Sequence, residues 1–147
     1  MITLEGIARR AQSRAPMEEL SQCGITTDHG VDGDYRGQPG SRQVTVLSLE
    51  CWHDACAALG TELPWHTRRA NLLVAGVRFS RESVGDTLRI GELELEITRE
   101  TDPCHRMDAL ASGLKTALQP DWRGGVCCRV VKSGAIAVGD AVEVIAH

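Results

Sequence analysis

The chain has 147 residues, 42% of them hydrophobic, which suits a single domain with a substantial core. A net charge of −4 argues against a protein that coats nucleic acid, and three Trp, one Tyr and one Phe offer little for a single-strand stacking platform. No apolar run approaches the length of a membrane span, and residues 1–6 lack the basic start and apolar stretch of a signal peptide. We therefore expect a cytoplasmic protein whose six cysteines are thiols and not disulfides.

The first third of the chain predicts one strand followed by loops. Residues 2–10 alternate between apolar and polar positions, as a strand does. The polar stretch 12–19 contains a proline and predicts a loop. Residues 24–40 carry five glycines, so we predict a long loop there and not a packed element.

The middle of the chain predicts a strand, a capped helix and a second strand. Residues 42–47 alternate and indicate the first strand. Ser48 is placed to cap a helix over residues 49–59, and Gly60 is placed to end it. The short apolar run 70–74 indicates the second strand.

The second half predicts short strands joined by tight turns. Val-Gly-Asp occurs at residues 84–86 and again at 138–140, each time before an alternating strand, which suggests the same turn used twice. Gly91-Glu92 predicts a hairpin. Two short helical patterns follow at residues 104–111 and 114–118, and a strand follows at residues 126–131. The total of seven or eight strands and two or three helices, without βαβ alternation, predicts a mostly antiparallel barrel or sandwich with inserted helices.

Cys104 has the most informative position in the sequence. It follows the alternating strand at residues 92–98 and a turn at Asp102-Pro103, and it begins a helical pattern. A thiol at such a corner can lie at the mouth of a pocket, where helix N–H groups and the cationic His105 and Arg106 favour the thiolate. A thiolate is a nucleophile or a soft metal ligand. The alternative is a small buried hydrophobic residue.

Several segments, taken in order, resemble the MOSC domain family, which is named for the C-terminal domain of molybdenum-cofactor sulfurases. They are an acidic glycine turn, an arginine-led strand, an Arg-x-Asn segment, two strands leading to a Pro-Cys pair, and the closing strands. In this chain they are residues 30–34, 42–45, 68–72, 84–91 with 95–98, 103–104, and 123–126 with 139–142. The resemblance implies one MOSC domain over residues 1–147, with a mostly β fold built on a barrel first seen in pyruvate kinase and two or three short inserted helices.

The resemblance also implies molybdenum-cofactor or sulfur-carrier chemistry at Cys104. The thiolate could carry a persulfide sulfur to an acceptor, or it could be a metal ligand that binds molybdenum directly, since thiolates are soft ligands. The pterin of that cofactor carries a phosphate, which arginine forks suit. The cofactor-binding positions implied in this sequence are Arg42, Arg69, Asn71, Arg123, Gly124 and Asp34.

Most of these positions have a structural alternative. Arg42 and Arg69 could be solvated at strand ends, Asn71 could hydrogen-bond its own turn, and Asp34 could cap its loop. Arg68, which precedes the Arg-x-Asn segment, is expected at the surface.

The sequence departs from the family pattern after the acidic glycine turn. Many members carry a histidine there, whereas this chain reads Asp34-Tyr35-Arg36-Gly37, so no role of that histidine is transferred. Pyridoxal phosphate belongs to the sulfurase domain of the fused proteins and is not expected in a standalone MOSC domain.

Three functions remain open. The domain could be part of a molybdenum-cofactor-dependent oxidoreductase that reduces N-hydroxylated compounds. It could be a non-enzymatic module that delivers cofactor or sulfur, or a structural barrel that has lost its chemistry. No flavin or nicotinamide fingerprint is present, so electrons or sulfur would come from a separate donor protein. We expect a cofactor or small molecule as ligand, and neither nucleic acid nor a membrane as partner.

Overall fold

The structure is a computed structural model that describes residues 1–147 as a mostly β fold with three short α-helices. The strands are β1 Ile2–Arg9, β2 Glu18–Leu20, β3 Gln22–Thr26, β4 Gly30–Val31, β5 Val44–Ser48, β6 Leu72–Ala75, β7 Thr87–Ile90, β8 Leu93–Glu100, β9 Val126–Lys132, β10 Gly134–Ala137 and β11 Ala141–Ile145. The α-helices are α1 Leu49–Leu59, α2 Arg106–Leu110 and α3 Leu114–Leu118, and 3₁₀ turns occupy Trp65–Arg68, Arg81–Ser83 and Pro120–Trp122. None of the helices is long and apolar enough to cross a membrane.

Seven strands close into a barrel. Their order is β11-β7-β8-β9-β5-β6-β1, and β1 pairs back onto β11, while β2 adds to β1 outside the closed ring. Every neighbouring pair is antiparallel except β5 with β6. A parallel pair needs a crossover connection, and α1 lies within it. The predicted mostly antiparallel barrel with inserted helices is confirmed.

The barrel interior is filled by aliphatic side chains. In β8, Leu93, Leu95 and Ile97 are buried in the core, while the glutamates between them are half-exposed on the outer face. A second cluster of ten buried residues packs α1 and α3 against the outside of the barrel. The two helices therefore cover part of the outside of the barrel.

Helix α1 has the predicted bounds and the predicted caps. The Ser48 hydroxyl accepts a hydrogen bond from the Cys51 amide at 3.2 Å. Gly60 has a φ of 77° and donates its amide to the carbonyls of Cys56 and Ala57. Local capping chemistry accounts for both ends of this helix.

The repeated Val-Gly-Asp turn is also confirmed. Gly85 and Gly139 have φ values of 96° and 100°, a region where glycine is strongly favoured. The strands that follow them, β7 and β11, pair with each other in the barrel. The same type of turn therefore precedes two strands that are neighbours in the barrel.

The prediction of an unpacked loop over residues 24–40 is wrong for its first half. There, β3 and β4 form a three-stranded sheet with β10, and Ile25 and Val31 are fully buried. A Cβ at Gly37 would lie 1.5 Å from the His29 carbonyl oxygen, so that glycine allows two stretches of backbone to touch. The sequence did not reveal this sheet because β3 is very short and its partner β10 comes more than a hundred residues later.

Candidate functional site

A cavity of about 570 Å³ opens where the end of β1, the segment before α2 and the residues preceding β5 and β6 meet. Its lining is dominated by arginine side chains and contains only two carboxylates, Asp34 and Asp102. The arginines are Arg10, Arg14, Arg36, Arg42, Arg68, Arg69 and Arg106. Seven cations around one cavity make this region electropositive, although the chain as a whole carries a net charge of −4.

None of these seven arginines forms an ion pair with a carboxylate. Elsewhere in the protein, Arg9, Arg78, Arg89 and Arg129 each lie within ion-pair distance of an aspartate or glutamate. The acidic residues therefore neutralise cations on the outside of the barrel and leave those of the cavity free. Free guanidinium groups are well suited to bind phosphate or carboxylate in a bidentate manner.

Arg68 is the most buried of the seven, with 6% of its surface exposed. Its Nε donates to the Gly124 carbonyl at 3.1 Å, and one terminal nitrogen donates to the Thr101 carbonyl at 2.9 Å. Burial, and next the charge of Arg42, lower its pKa to about 10. The expectation of a surface position was wrong. A buried cation without a counter-ion is costly, and an anionic ligand in the cavity would offset that cost.

Two arginines surround Tyr35, which directly follows Asp34. Its hydroxyl accepts hydrogen bonds from Arg10 at 2.9 Å and from Arg36 at 2.7 Å. The two guanidinium carbons also lie 4.8 and 5.4 Å from the ring centroid. Burial opposes ionisation, but the hydrogen bond from Arg36 and the charges of both arginines hold the pKa of Tyr35 below its ordinary value. Sequence reasoning missed Arg10, because only the fold brings it to Tyr35.

Asp34 lines the cavity, but its carboxylate is used within the protein. One oxygen accepts the Arg10 amide at 3.0 Å and the other accepts the Arg36 amide at 3.2 Å. The carboxylate thereby ties the segment that carries Tyr35 to the end of β1. Asp34 positions the arginines around Tyr35.

Asn71 forms part of the cavity floor and connects three strands. Its side-chain oxygen accepts the Thr45 amide at 3.1 Å, and its side-chain nitrogen donates to the Ala8 carbonyl at 3.2 Å. Asn71 does not bond its own turn. It joins β5, the start of β6 and β1, and this fixes the floor between the two sides of the cavity.

Cys104 lies at the rim of the cavity and is the exposed one among six free cysteines. Helix α2 begins at Arg106 and has only five residues, so the thiol stands two positions before the helix. The thiol therefore does not lie at the first residue of the helix, and it shares the cavity with the seven arginines. Its position between a strand and a helix agrees with the sequence prediction.

Comparison with known proteins identifies the family. Residues 27–143 match the profile of the MOSC domain. The chain belongs to the MOSC domain family. No curated protein sequence matches it significantly.

Solved structures share the fold of this MOSC domain at low sequence identity. The YuaD protein from Bacillus subtilis superimposes with a TM-score of 0.86 at 18% identity, over 100% of this chain and 97% of that one. YiiM from Escherichia coli superimposes with a TM-score of 0.73 at 16% identity, and the match covers 99% of this chain and 70% of the YiiM chain. YiiM from Geobacillus stearothermophilus superimposes with a TM-score of 0.79 at 12% identity, and the match covers 99% of this chain and 75% of that YiiM chain. The predicted MOSC fold is confirmed.

The MOSC domain brings six of the seven nominated residues to one cavity. Cys104, Arg42, Arg69, Asn71, Gly124 and Asp34 line it. Arg123 does not: one terminal nitrogen donates to the Ala117 carbonyl at 3.1 Å, next to α3. No three His, Cys, Asp or Glu side chains come together in a way that could hold a metal ion. A metal at Cys104 would therefore take its remaining ligands from a cofactor.

Proposed function

We propose that this cavity binds the molybdenum cofactor, with its phosphate held by arginines and its metal-bearing end at Cys104. The observation that carries the proposal is a cavity with seven arginines and no ion pair. MOSC domains are associated with binding of this cofactor, and the chain is a member of that family. A cavity of about 570 Å³ lies within the usual range for small-molecule and cofactor sites.

The residues present fit a phosphorylated pterin. Arg68 is buried, fixed by two backbone carbonyls and lacks a carboxylate partner, and Arg42 is close enough to lower its pKa. A phosphate between Arg42 and Arg68 would supply the missing negative charge and accept charge-assisted hydrogen bonds. Gly124 contributes through its carbonyl, which holds Arg68, so its part is indirect.

Cys104 supplies the only exposed thiol at this site. When bound, the cofactor would supply a redox-active metal. The thiolate of Cys104 would either ligate that metal or take a sulfane sulfur from the persulfide of a donor protein, whose own thiolate would leave. The same residue therefore serves both versions of the chemistry.

The activity proposed for the loaded domain is that of a component of a reductase for N-hydroxylated compounds. Electrons would come from a separate donor protein, because the chain has no flavin or nicotinamide fingerprint. The second candidate is delivery of cofactor or sulfur to another enzyme in the cytoplasm, which the small single domain and exposed thiol favour. A barrel that has lost its chemistry is the remaining alternative.

Cofactor content tests the proposal directly. The protein would be purified without oxygen from a host that makes the cofactor, and molybdenum and oxidised pterin would be measured per chain. Cys104→Ser and Arg42→Ala are the test variants. Arg99→Ala is the matched control, since Arg99 is exposed, forms no ion pair and lies outside the cavity. We expect near-stoichiometric metal and pterin in the wild type and control, and strong losses in both test variants.

Absence of both metal and pterin from the wild-type protein would contradict cofactor binding. Persulfide formation on Cys104 after treatment with a cysteine desulfurase would then favour sulfur carriage. For a loaded protein, turnover of a hydroxylamino compound with a generic reductase would favour the reductase function over delivery.

A further inference from the structure

Several of the cavity arginines fall into two clusters that different parts of the chain hold. We define the first cluster as Arg42 and Arg68, and the second as Arg10, Arg36 and Arg69. Arg68 in the first is fixed by the carbonyls of residues 101 and 124. Arg10 and Arg36 in the second converge on the hydroxyl of Tyr35. Arg69 lines the same cavity, and burial and then the charges of Arg69 and Arg36 lower the pKa of Arg10, while Tyr35 and Asp34 oppose that shift.

Strand order shows that the clusters are separate. Residues 101 and 124 flank the β8–β9 pair, whereas Arg10 directly follows β1. The barrel order from β9 to β1 is β9-β5-β6-β1, three strand spacings, which is roughly 14 Å along the sheet. Different elements therefore hold the two sets of guanidinium groups. The carbonyls of residues 101 and 124 hold Arg68, whereas Arg10 and Arg36 meet at the Tyr35 hydroxyl.

The second cluster has donors that the protein does not use. Arg36 donates only its Nε–H to the Tyr35 hydroxyl, and the guanidinium of Arg69 has no hydrogen-bond partner in the protein. One terminal nitrogen of Arg10 is buried and also lacks a partner. Three cations with no carboxylate ion pair repel one another, and a bound anion would remove that repulsion.

We infer that the second cluster is a second anion subsite, which binds a phosphate group distinct from the one at Arg42 and Arg68. The inference rests on the proposed function only in assigning the first subsite to the cofactor phosphate. The second phosphate has two possible sources with the same chemistry. It belongs to a separate phosphorylated substrate, or it is a further phosphate of an extended form of the ligand in the first subsite.

Stoichiometry of inorganic phosphate binding tests the inference. Equilibrium dialysis with labelled phosphate would be run at low ionic strength on cofactor-free protein, because higher salt weakens such contacts. Arg36→Ala and Arg42→Ala remove one exposed arginine from each cluster, and Arg99→Ala is the control. We expect two phosphates per chain in the wild type and control. Each test variant should weaken a different one of the two sites by roughly ten- to a hundredfold.

Cofactor-loaded protein then distinguishes the sources. If it still binds one phosphate, and Arg36→Ala abolishes that binding, the second subsite serves a separate phosphorylated ligand. If it binds none, the loaded ligand carries both anionic groups. A single phosphate per cofactor-free chain, or weakening of the same site by both variants, would overturn the inference. Two phosphates in a protein that never acquires cofactor would uphold the subsites and reject the proposed function.

Discussion

Replacing Arg68 with Met separates a structural role of this buried cation from a role in binding an anion. Burial, and next the charge of Arg42, lower the pKa of Arg68 to about 10, which corresponds to a cost of roughly 3 kcal/mol for the charged side chain. Met removes that cost, but it leaves the carbonyls of Thr101 and Gly124 without their donors. Each unpaired carbonyl costs about 1–3 kcal/mol.

In anion-free buffer, the gain from removing the buried charge and the cost of the two unpaired carbonyls nearly cancel. We expect Arg68→Met to range from about 1 kcal/mol more stable to about 3 kcal/mol less stable than the wild type. Because the folded-state pKa of this base is depressed, the cost is fully present below pH 10 and would be relieved only above it. The stability difference between variant and wild type should therefore stay flat between about pH 6 and 9.

Added phosphate should reveal the binding role. At a phosphate concentration of about 100 times the dissociation constant of the subsite at Arg42 and Arg68, phosphate in that subsite contributes about 2.7 kcal/mol to the stability of the wild type. If Arg68→Met weakens that subsite ten- to a hundredfold, its contribution falls to roughly 1.4–0.4 kcal/mol, while the second subsite contributes equally to both proteins. Urea unfolding followed by tryptophan fluorescence, with and without phosphate, measures both quantities. An equal gain in the variant, or a loss of more than about 4 kcal/mol without phosphate, would refute the reasoning.

Three further predictions concern other parts of the cavity and its support. Iodoacetamide should label Cys104 alone under native conditions, since the other cysteines are buried or half-buried; mass spectrometry of Cys104→Ser should show no label. The pKa of Tyr35, the single tyrosine, should lie below the usual value near 10 when it is followed by phenolate absorbance. Arg36→Ala should raise that pKa, and an unchanged pKa would contradict the hydrogen bond from Arg36 to the Tyr35 hydroxyl. Gly37→Ala should lower the free energy of unfolding, measured in urea, by more than about 2 kcal/mol. Gly24→Ala is the control, because its added Cβ meets open space, and it should lower that free energy by less than half as much.

The parts of the fold that were predictable from the sequence are those set by local chemistry. Ser48 and Gly60 define α1 through hydrogen bonds that lie within three or four residues of each cap. Gly85 and Gly139 begin their strands because their backbone conformation requires glycine. The small sheet of β3, β4 and β10 was missed, since its pairing depends on a strand far away in the sequence.

The site residues that were predictable from the sequence are those whose residue type and local position indicate a chemical role. Cys104 stands out because it follows a turn at the end of a strong strand, and the structure places it at the rim of the cavity. Arg68 was misplaced at the surface, because sequence alone does not show that its donors meet the carbonyls of residues 101 and 124. Arg10 was missed since its meeting with Tyr35 joins segments 25 residues apart.

The distribution of charge makes this cavity suited to bind an anion. The chain has 20 acidic residues and only 16 arginines and lysines, so carboxylates are not scarce. They nevertheless pair with arginines on the outer face of the strands, such as Arg129 with Glu96, and not with those of the cavity. Surface pairs of this kind contribute little to stability. The buried Arg68 among the cavity arginines carries a cost for its charge, and we propose that an anion bound in the cavity would offset that cost and so stabilise the protein.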